Sequence, residues 1–288
     1  MAVTLVGGVD PDAKIWRYMT LDKFIHFLDS ETLYFNSLSA FMKSDPFEGM
    51  PPVRIIKKIR QLVHISQELK NALADMESKA ESVTAPNELA EIFDSLSEPL
   101  RSEHRDFRKL VTDLFKGYVV SCWHANEYES EAMWKLYGDS HRGVAIQTTV
   151  GKLQMALQSD EKLNIAKVIY SDYEKPTEEA LRHLVVSGLA PLMKRLSYSH
   201  EAEVRAYFLP SMHKVGVGAT EAKSYSVKVS GMSFIDGVVI SPYAGEPYTS
   251  AVKSIAGKYG LNCSVGISQL LQGFDGLFDL GEYGGAYN

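Results

Sequence analysis

Two glutamates and an arginine stand at alternate positions in residues 197–209, a segment typical of a helix end followed by a strand. In an extended chain alternate side chains share a face, so Glu201, Glu203 and Arg205 would project together. His200 would point to the other side. Buried charges need partners, and where they lack them their pKa values shift. The segment therefore predicts either a functional pair of carboxylates or a salt-bridge ladder in which Arg205 neutralises Glu203.

A second acidic segment, residues 44–49, reads Ser-Asp-Pro-Phe-Glu-Gly. Pro46 has a fixed φ and favours an extended conformation at Asp45, while Gly49 permits a positive φ. These properties predict a turn. Because loops often present site residues, the turn either closes a corner of the fold or carries Asp45 and Glu48 into a cleft.

An aromatic pair, Trp134 and Tyr137, falls on a predicted short helix at a spacing that places both side chains on one face. A polar turn bounded by glycines follows and contains His141 and Arg142. The aromatic pair fits packing in the core or a platform for a ligand. Pairs at this spacing are more often part of the core, and the neighbouring polar turn adds weight to the second alternative.

The composition is that of an ordinary globular protein, with 45% hydrophobic and 23% charged residues in a chain of 288. The net charge of -6 disfavours a broad surface for duplex nucleic acid. Cys122 and Cys263 have no metal-ligand spacing, which predicts buried thiols in a reducing compartment. No apolar run approaches the ~18 residues of a membrane span, and no signal-peptide pattern is present, so we expect a cytoplasmic protein.

Helical and strand patterns alternate irregularly along the chain, without repeated βαβ units. This predicts one α+β domain over residues 1–288, with a mixed or largely antiparallel sheet and flanking helices. A change of composition predicts a helical insertion at about residues 52–116, either a packed subdomain or a lid. Strands are predicted at 15–19, 33–36, 117–123, 144–148, 166–170, 201–209, 225–229, 234–240 and 263–267, and helices after Thr20, around 133–137, from Thr177 and at 249–259.

Four pieces of the chain, in this order, resemble a large bacterial family described only as a domain of unknown function. They are Trp16-Arg17-Tyr18, the segment 45–49, the run from Trp134 through Tyr137 to Arg142-Gly143, and the segment 201–205. The similarity spans most of residues 15–270. Ser44 stands where the family pattern has Asn. The resemblance implies a fold but no established reaction.

The order of three polar residues also resembles that of ADP-ribosyltransferases, in which an early strand carries Arg or His, a middle strand Ser, Thr or Tyr, and a late strand Glu. Here Arg17, then Thr148 or Thr149, then the Glu201-Ala202-Glu203 segment follow that order. The resemblance implies an ADP-ribosyltransferase-like fold and NAD as a substrate. No Gly-x-Gly-x-x-Gly or P-loop motif is present, which disfavours Rossmann-type and P-loop enzymes.

The same resemblance assigns roles to residues. Glu203 would be catalytic, because a carboxylate on the ribose hydroxyl stabilises an oxocarbenium-like state, and Glu201 would prepare the acceptor. Arg17 would bind the pyrophosphate through charge-assisted hydrogen bonds, with Thr148 at the middle-strand position. An aromatic side chain would stack on nicotinamide. The candidates for stacking are Tyr34, Trp134 and Tyr137.

The sequence leaves three functions open. The first is a transferase that uses NAD or another nucleotide, as a toxin or phage-defence effector with a protein or nucleic-acid acceptor. The second is a non-catalytic module in which the aromatic pair binds a ligand and the insertion docks a partner. The third is a metal-assisted hydrolase or nuclease, since hard cations prefer oxygen ligands; its ligands would be Asp45, Glu48, Glu201 and Glu203. The first requires Arg17, Tyr34, Trp134 and Glu203 to line a single pocket.

Overall fold

A computed structural model describes residues 3–57, 60–61, 117–139, 142–178, 180, 182, 191–210 and 224–272. Most of the predicted insertion at 52–116 and most of the predicted helix after Thr177 lie outside these residues, as does His141. Within the described part of the chain, no helix has both the length and the apolar character needed to cross a bilayer.

The described helices and strands alternate irregularly, as the sequence predicts. The strands are β1 (Thr4–Leu5), β2 (Lys14–Thr20), β3 (Thr32–Ser37), β4 (Val119–Ala125), β5 (Gly143–Thr149), β6 (Leu157–Gln158), β7 (Asn164–Lys167), β8 (Ile169–Ser171), β9 (Met193–Arg195), β10 (Glu203–Phe208), β11 (Tyr225–Val229), β12 (Gly237–Ile240) and β13 (Ser264–Ile267). The α-helices are α1 (Leu21–Ser30), α2 (Glu131–Tyr137), α3 (Val150–Ala156) and α4 (Tyr248–Lys258). Leu38–Lys43 and Leu196–Glu201 form 3₁₀-helices.

Eleven of these strands form one large sheet. Its main path runs β1-β7-β10-β4-β2-β5-β12-β13, with β3, β11 and β6 attached through β4. Only the β1–β7 and β12–β13 pairs in this sheet are parallel. Strands β8 and β9 form a separate parallel pair. The predicted α+β class with a mixed, largely antiparallel sheet is confirmed.

The two faces of the central strand β10 differ in character: one is apolar and the other is polar. Its alternate residues Val204, Ala206 and Phe208 join the main hydrophobic core, on which α1 also packs. On the opposite face, Glu203 and Arg205 lie beside His124 and Cys122 of β4, which their register places opposite them. Strand β10 is buried on both faces, so the polar residues of its second face lie inside the protein.

Two segments differ from the predicted secondary structure near this strand. Residues 191–195 were predicted as the end of a long helix, but Met193–Arg195 form the strand β9. Glu201 was predicted to share a strand face with Glu203, but it ends a 3₁₀-helix, and the strand begins two residues later. Ala202 between them has a φ of 39°, a left-handed conformation that reverses the chain direction locally.

A close approach between two glycines fixes α2 against β5. A Cβ atom on Gly143 would lie 2.6 Å from the Cα of Gly138, the residue that caps α2. The obstructing atoms belong to the backbone, so no side-chain rotation can relieve the contact. Only glycine therefore allows α2, with its aromatic residues, to sit at the start of β5.

We expect Gly143→Ala to lower the free energy of unfolding by about 1–3 kcal/mol, the usual cost of forcing atoms into a packed site. Gly257→Ala is the matched control, because Gly257 lies within α4 and an added Cβ there meets no atom within 4 Å. The control should raise the stability by up to about 1 kcal/mol. Urea denaturation of both variants measures the difference. Equal stabilities would contradict the close approach.

Candidate functional site

Five buried charged side chains meet on the polar face of the sheet. Glu203 and Arg205 come from β10, and Glu201 from the 3₁₀-helix before it. Lys194 lies on β9, and Glu48 on the turn that follows the first 3₁₀-helix. We call these five residues the charge cluster. The fold thus brings together residues that are far apart along the chain.

Lys194 is the point at which the three carboxylates converge. Its Nζ lies 2.5 Å from Glu201 Oε2 and 3.3 Å from Glu203 Oε2. The same atom lies 3.3 Å from Glu48 Oε2. The Lys194 ammonium therefore occupies the position among these oxygens that a metal cation would otherwise take.

Arg205 saturates the other side of the charge cluster. Its Nε and Nη2 donate to the two oxygens of Glu203, at 2.8 and 3.0 Å. Its Nη2 also donates to Glu48 Oε1, and its Nη1 donates to the carbonyl of Pro191 at 2.7 Å. The pairing of Arg205 with Glu203 that the alternate spacing predicted is therefore present.

The charged groups of the cluster stabilise one another's ionised forms. Burial alone would raise the pKa of Glu203, but Arg205 and Lys194 outweigh it and hold that pKa at about 2. Burial alone would lower the pKa values of Lys194 and Arg205, but the surrounding glutamates raise both above their usual values. Counted as ionised groups, three carboxylates face two cations. The cluster therefore holds one carboxyl group more than its cationic side chains.

The predicted turn at residues 44–49 is present, and both of its carboxylates form buried ion pairs. Asp45 Oδ1 accepts a hydrogen bond from the Phe47 amide at 3.0 Å, which closes the turn. Asp45 Oδ1 also pairs with Arg195 Nη2 at 2.7 Å. Gly49 has a φ of 68°. With the turn fixed in this way, Glu48 points into the charge cluster.

Tyrosine hydroxyls and a thiol border the charge cluster. Tyr137 OH donates to Glu201 Oε1 at 3.3 Å, and the residue is 44% exposed, so the cluster approaches solvent here. Tyr170 OH accepts a hydrogen bond from the Glu203 amide at 2.9 Å. The Cys122 thiol donates to Glu203, and burial raises the pKa of that thiol well above its usual value.

His124 lies against the backbone of the same segment. Its Nδ1 is 2.6 Å from the carbonyl oxygen of Glu201, which fixes Nδ1 as the donor. Burial lowers the pKa of His124, which favours the neutral ring with an acceptor at Nε2. The ring also meets the edge of Tyr18, with centroids 6.2 Å apart.

Arg17 lies on the apolar face of the sheet, opposite the charge cluster. It projects into a gap beside β4, between β2 and β3, where it donates to Ser121 Oγ at 2.6 Å and to the Tyr34 carbonyl at 2.9 Å. Its guanidinium lies 5.6 Å above the Trp123 ring. Burial lowers the pKa of Arg17 to about 10. The structure therefore does not bring Arg17 to Glu203, and the predicted single pocket with Tyr34 is not formed.

The other residues singled out from the transferase resemblance are also dispersed. Trp134 is 1% exposed and packs against the Tyr18 ring, with centroids 4.9 Å apart. Thr148 is fully buried and donates to the Phe234 carbonyl, while Thr149 caps α3. The Tyr34 side chain is 50% exposed. Arg142 is exposed, and its carbonyl accepts a hydrogen bond from Tyr248.

Lys194 and its neighbour Arg195 were not singled out from the sequence. Both follow an apolar stretch and precede the acidic segment, and a buried glutamate pair needs a cation as partner. That requirement is the signal that could have found them. The prediction of a helix through this stretch concealed it, because Lys194 would then have had no fixed relation to the strand.

No group of three or more His, Cys, Asp or Glu side chains in the described ranges is arranged to hold a metal ion. The carboxylates predicted as metal ligands converge on Lys194 and Arg205 instead, while Asp45 faces Arg195. The geometry therefore gives the metal-assisted hydrolase no support.

A comparison with protein-family models places the centre of the chain among known sequences. Residues 133–206 match the model of a family described as a protein of unknown function, DUF2971. The match runs from α2 into β10 and includes Lys194, Glu201, Glu203 and Arg205, so most of the charge cluster belongs to the shared segment. No curated protein and no solved structure matches the chain.

The lowered pKa of Glu203 makes its contribution to stability dependent on pH. A carboxyl whose pKa falls from 4.5 to about 2 on folding stabilises the protein above about pH 4.5 and loses that contribution as the pH falls to 2. We expect Glu203→Gln to lower the free energy of unfolding at pH 6 by about 3 kcal/mol, the equivalent of this pKa difference. The deficit should shrink as the pH is lowered towards 3.

Urea denaturation at several pH values measures this difference between the two proteins. The exposed Glu178 provides the matched control, since Glu178→Gln should leave the stability within about 0.5 kcal/mol at every pH. A deficit for Glu203→Gln that stays constant between pH 6 and 3 would show that Glu203 is not held ionised by its partners.

Proposed function

We propose that the charge cluster is the reaction centre of an enzyme that transfers a group from a nucleotide such as NAD to an acceptor. The observation that carries this proposal is the surplus of one carboxylate in a buried cluster of five charges. Replacing a buried ion pair by apolar residues is often neutral or stabilising, so the fold alone does not require such a cluster. Strongly perturbed ionisable groups concentrate at functional sites.

The surplus carboxylate suits a reaction in which positive charge moves onto a sugar ring. In the proposed step the bond between ribose C1′ and the nicotinamide nitrogen breaks, and nicotinamide leaves with the bonding electron pair. The ribose becomes oxocarbenium-like, and an acceptor then bonds to C1′ and releases a proton. The positive charge of the nicotinamide ring thereby passes to the ribose, where a fixed negative charge in a site of low dielectric stabilises it.

The outer edge of the charge cluster is the side available to a substrate. Glu201 lies there, beneath the partly exposed Tyr137, whose ring could stack on a base. Glu203 lies deeper and is held by Arg205 and Lys194, so it fixes the charge and position of the others. We therefore assign substrate contact to Glu201 rather than to Glu203.

Arg195 takes the phosphate-binding role in this proposal. Its side chain is 35% exposed, while the paired Asp45 is buried. Its guanidinium lies 5.4 Å above the Tyr198 ring, beside the charge cluster. Arg17 is on the opposite face of the sheet. Loss of NAD would harm a cell, which would suit a toxin or a phage-defence effector acting on itself or on a macromolecular acceptor.

A second candidate is a binding module without turnover. The observation in its favour is the saturation of Glu203, which meets Lys194 and Arg205 at both oxygens and has a pKa of about 2. In this alternative the charge cluster is a rigid support, and Tyr137 at its edge contacts the ligand.

Incubation of the purified chain with NAD tests the first candidate, with nicotinamide release measured by chromatography. Glu201→Gln keeps the shape of the side chain and removes its charge, so we expect turnover to fall at least ~100-fold. Glu178→Gln, at an exposed position, should leave turnover unchanged. Circular dichroism of each variant confirms that it is folded.

The variant Arg17→Gln distinguishes the role that the sequence resemblance gives Arg17 from the role that its position in the structure indicates. The resemblance expects loss of NAD binding, whereas the position of Arg17 on the opposite face predicts a KM for NAD within about twofold of the parent. No nicotinamide release by the parent, with NAD binding detected by calorimetry, would favour the binding module. Neither release nor binding would show that the proposal for NAD is wrong.

A further inference from the structure

A cavity of about 330 Å³ opens at the edge of the sheet, beside the charge cluster. It lies where the short strand β1 leaves its neighbour β7, and β8 and Leu192 close its other side. Tyr170 is one of its walls. The same Tyr170 hydroxyl accepts the hydrogen bond from the Glu203 amide, so one side chain separates the cavity from the cluster.

Most of the lining is aliphatic. The aliphatic side chains are those of Val6, Ala166, Val168, Ile169, Ala180 and Leu192. Polar groups come from Tyr170 and Thr177, whose hydroxyls accept hydrogen bonds from backbone amides and retain a proton to donate. Such a lining favours a ligand with an aliphatic body and few polar atoms.

The backbone of β7 supplies the specific polar contacts. Alternate residues of a strand direct their N–H and C=O groups to opposite neighbours. Leu163 and Ile165 accept hydrogen bonds from Thr4 and Val6, whereas Val168 donates to Glu203 on the other side. Lys167 continues the first series, so its backbone groups face the edge from which β1 departs.

The chain of β1 cannot pair with Lys167 because it turns away first. Gly7 and Gly8 follow Val6 and have φ values of 69° and 68°, outside the strand region. The last hydrogen bond between the two segments is that from the Val6 amide to Ile165. Lys167 lines the cavity, and the side of β7 that carries its N–H and C=O is the side from which β1 has departed.

The size of the cavity decides which ligands fit. A volume of about 330 Å³ is at the lower end of the range for small-molecule sites, ~300–1,000 Å³. A dinucleotide cannot be enclosed in it. A chain of about six carbon atoms with one polar group can.

We propose that this cavity binds a small aliphatic molecule with a single amide group. The amide pairs with the backbone N–H and C=O of Lys167, as an added strand would, and the aliphatic body fills the space against Leu192. Tyr170 is both a wall of the cavity and the acceptor of the hydrogen bond from the Glu203 amide, so a bound molecule contacts a side chain that also contacts the charge cluster. The proposal does not depend on NAD as a substrate of that cluster.

Two fluorinated probes of equal length test it by ¹⁹F NMR, 6,6,6-trifluorohexanamide and 6,6,6-trifluorohexanoate. The amide can both donate to and accept from Lys167, whereas the carboxylate can only accept. We expect the amide to bind about tenfold more tightly, as two hydrogen bonds instead of one imply. Equal or tighter binding of the carboxylate would overturn the assignment of the ligand class. Binding of neither probe would overturn the site.

Variants locate the bound probe. Ala180→Leu fills the cavity and should weaken amide binding at least tenfold, whereas Ala251→Leu, which adds the same atoms at an exposed position of α4, should not. Leu192→Ala enlarges the cavity and should shift the preference to the longer 7,7,7-trifluoroheptanamide. Unchanged binding in both cavity variants would show that the probe binds elsewhere. These measurements need no catalytic activity, so failure of the transferase proposal leaves them unaffected.

Discussion

Compensation of buried charge around Lys194 is the constraint on which this part of the molecule depends. All three glutamates lie within 3.3 Å of its ammonium. Glu48 and Glu203 also share Arg205. Removal of Lys194 or Arg205 leaves buried carboxylates without a partner, which typically costs ~3–5 kcal/mol. The cluster therefore acts as a unit, and the turn, strand and 3₁₀-helix that supply its members must hold their positions together.

The two faces of the sheet separate two kinds of chemistry. On the polar face, Tyr137 and Tyr170 border a set of charges that are fixed in number and position. On the apolar face, Arg17 bridges a gap between strands through hydrogen bonds to Ser121 and to the Tyr34 carbonyl. Arg17 and the Glu201-Ala202-Glu203 segment follow the order seen in ADP-ribosyltransferases along the chain, yet they lie on opposite faces of the sheet. Order along the sequence is a weak guide when adjacent strand residues point in opposite directions.

Local patterns in the sequence predicted much of the fold and part of the site. The alternation of Glu203 and Arg205 predicted their pairing, because the period of a strand is a local property. The position of Arg17 depends on which strands become neighbours, and no local pattern contains that information. The helix predicted through Lys194 failed for the same reason, since tertiary contacts override intrinsic propensity. Distant partners such as Glu48 become evident only when the chain is folded.

The hydrogen bond between Arg205 and Glu48 joins residues 157 positions apart, more than half the chain. During synthesis Glu48 leaves the ribosome long before Arg205 exists. At ~5–20 residues per second the interval is about 10–30 s. Throughout it the carboxylate remains hydrated, and the surface that will later enclose it stays open. A strand made late, β10, thus completes the surroundings of a turn made early, and until it arrives the nascent chain leaves that interior surface exposed.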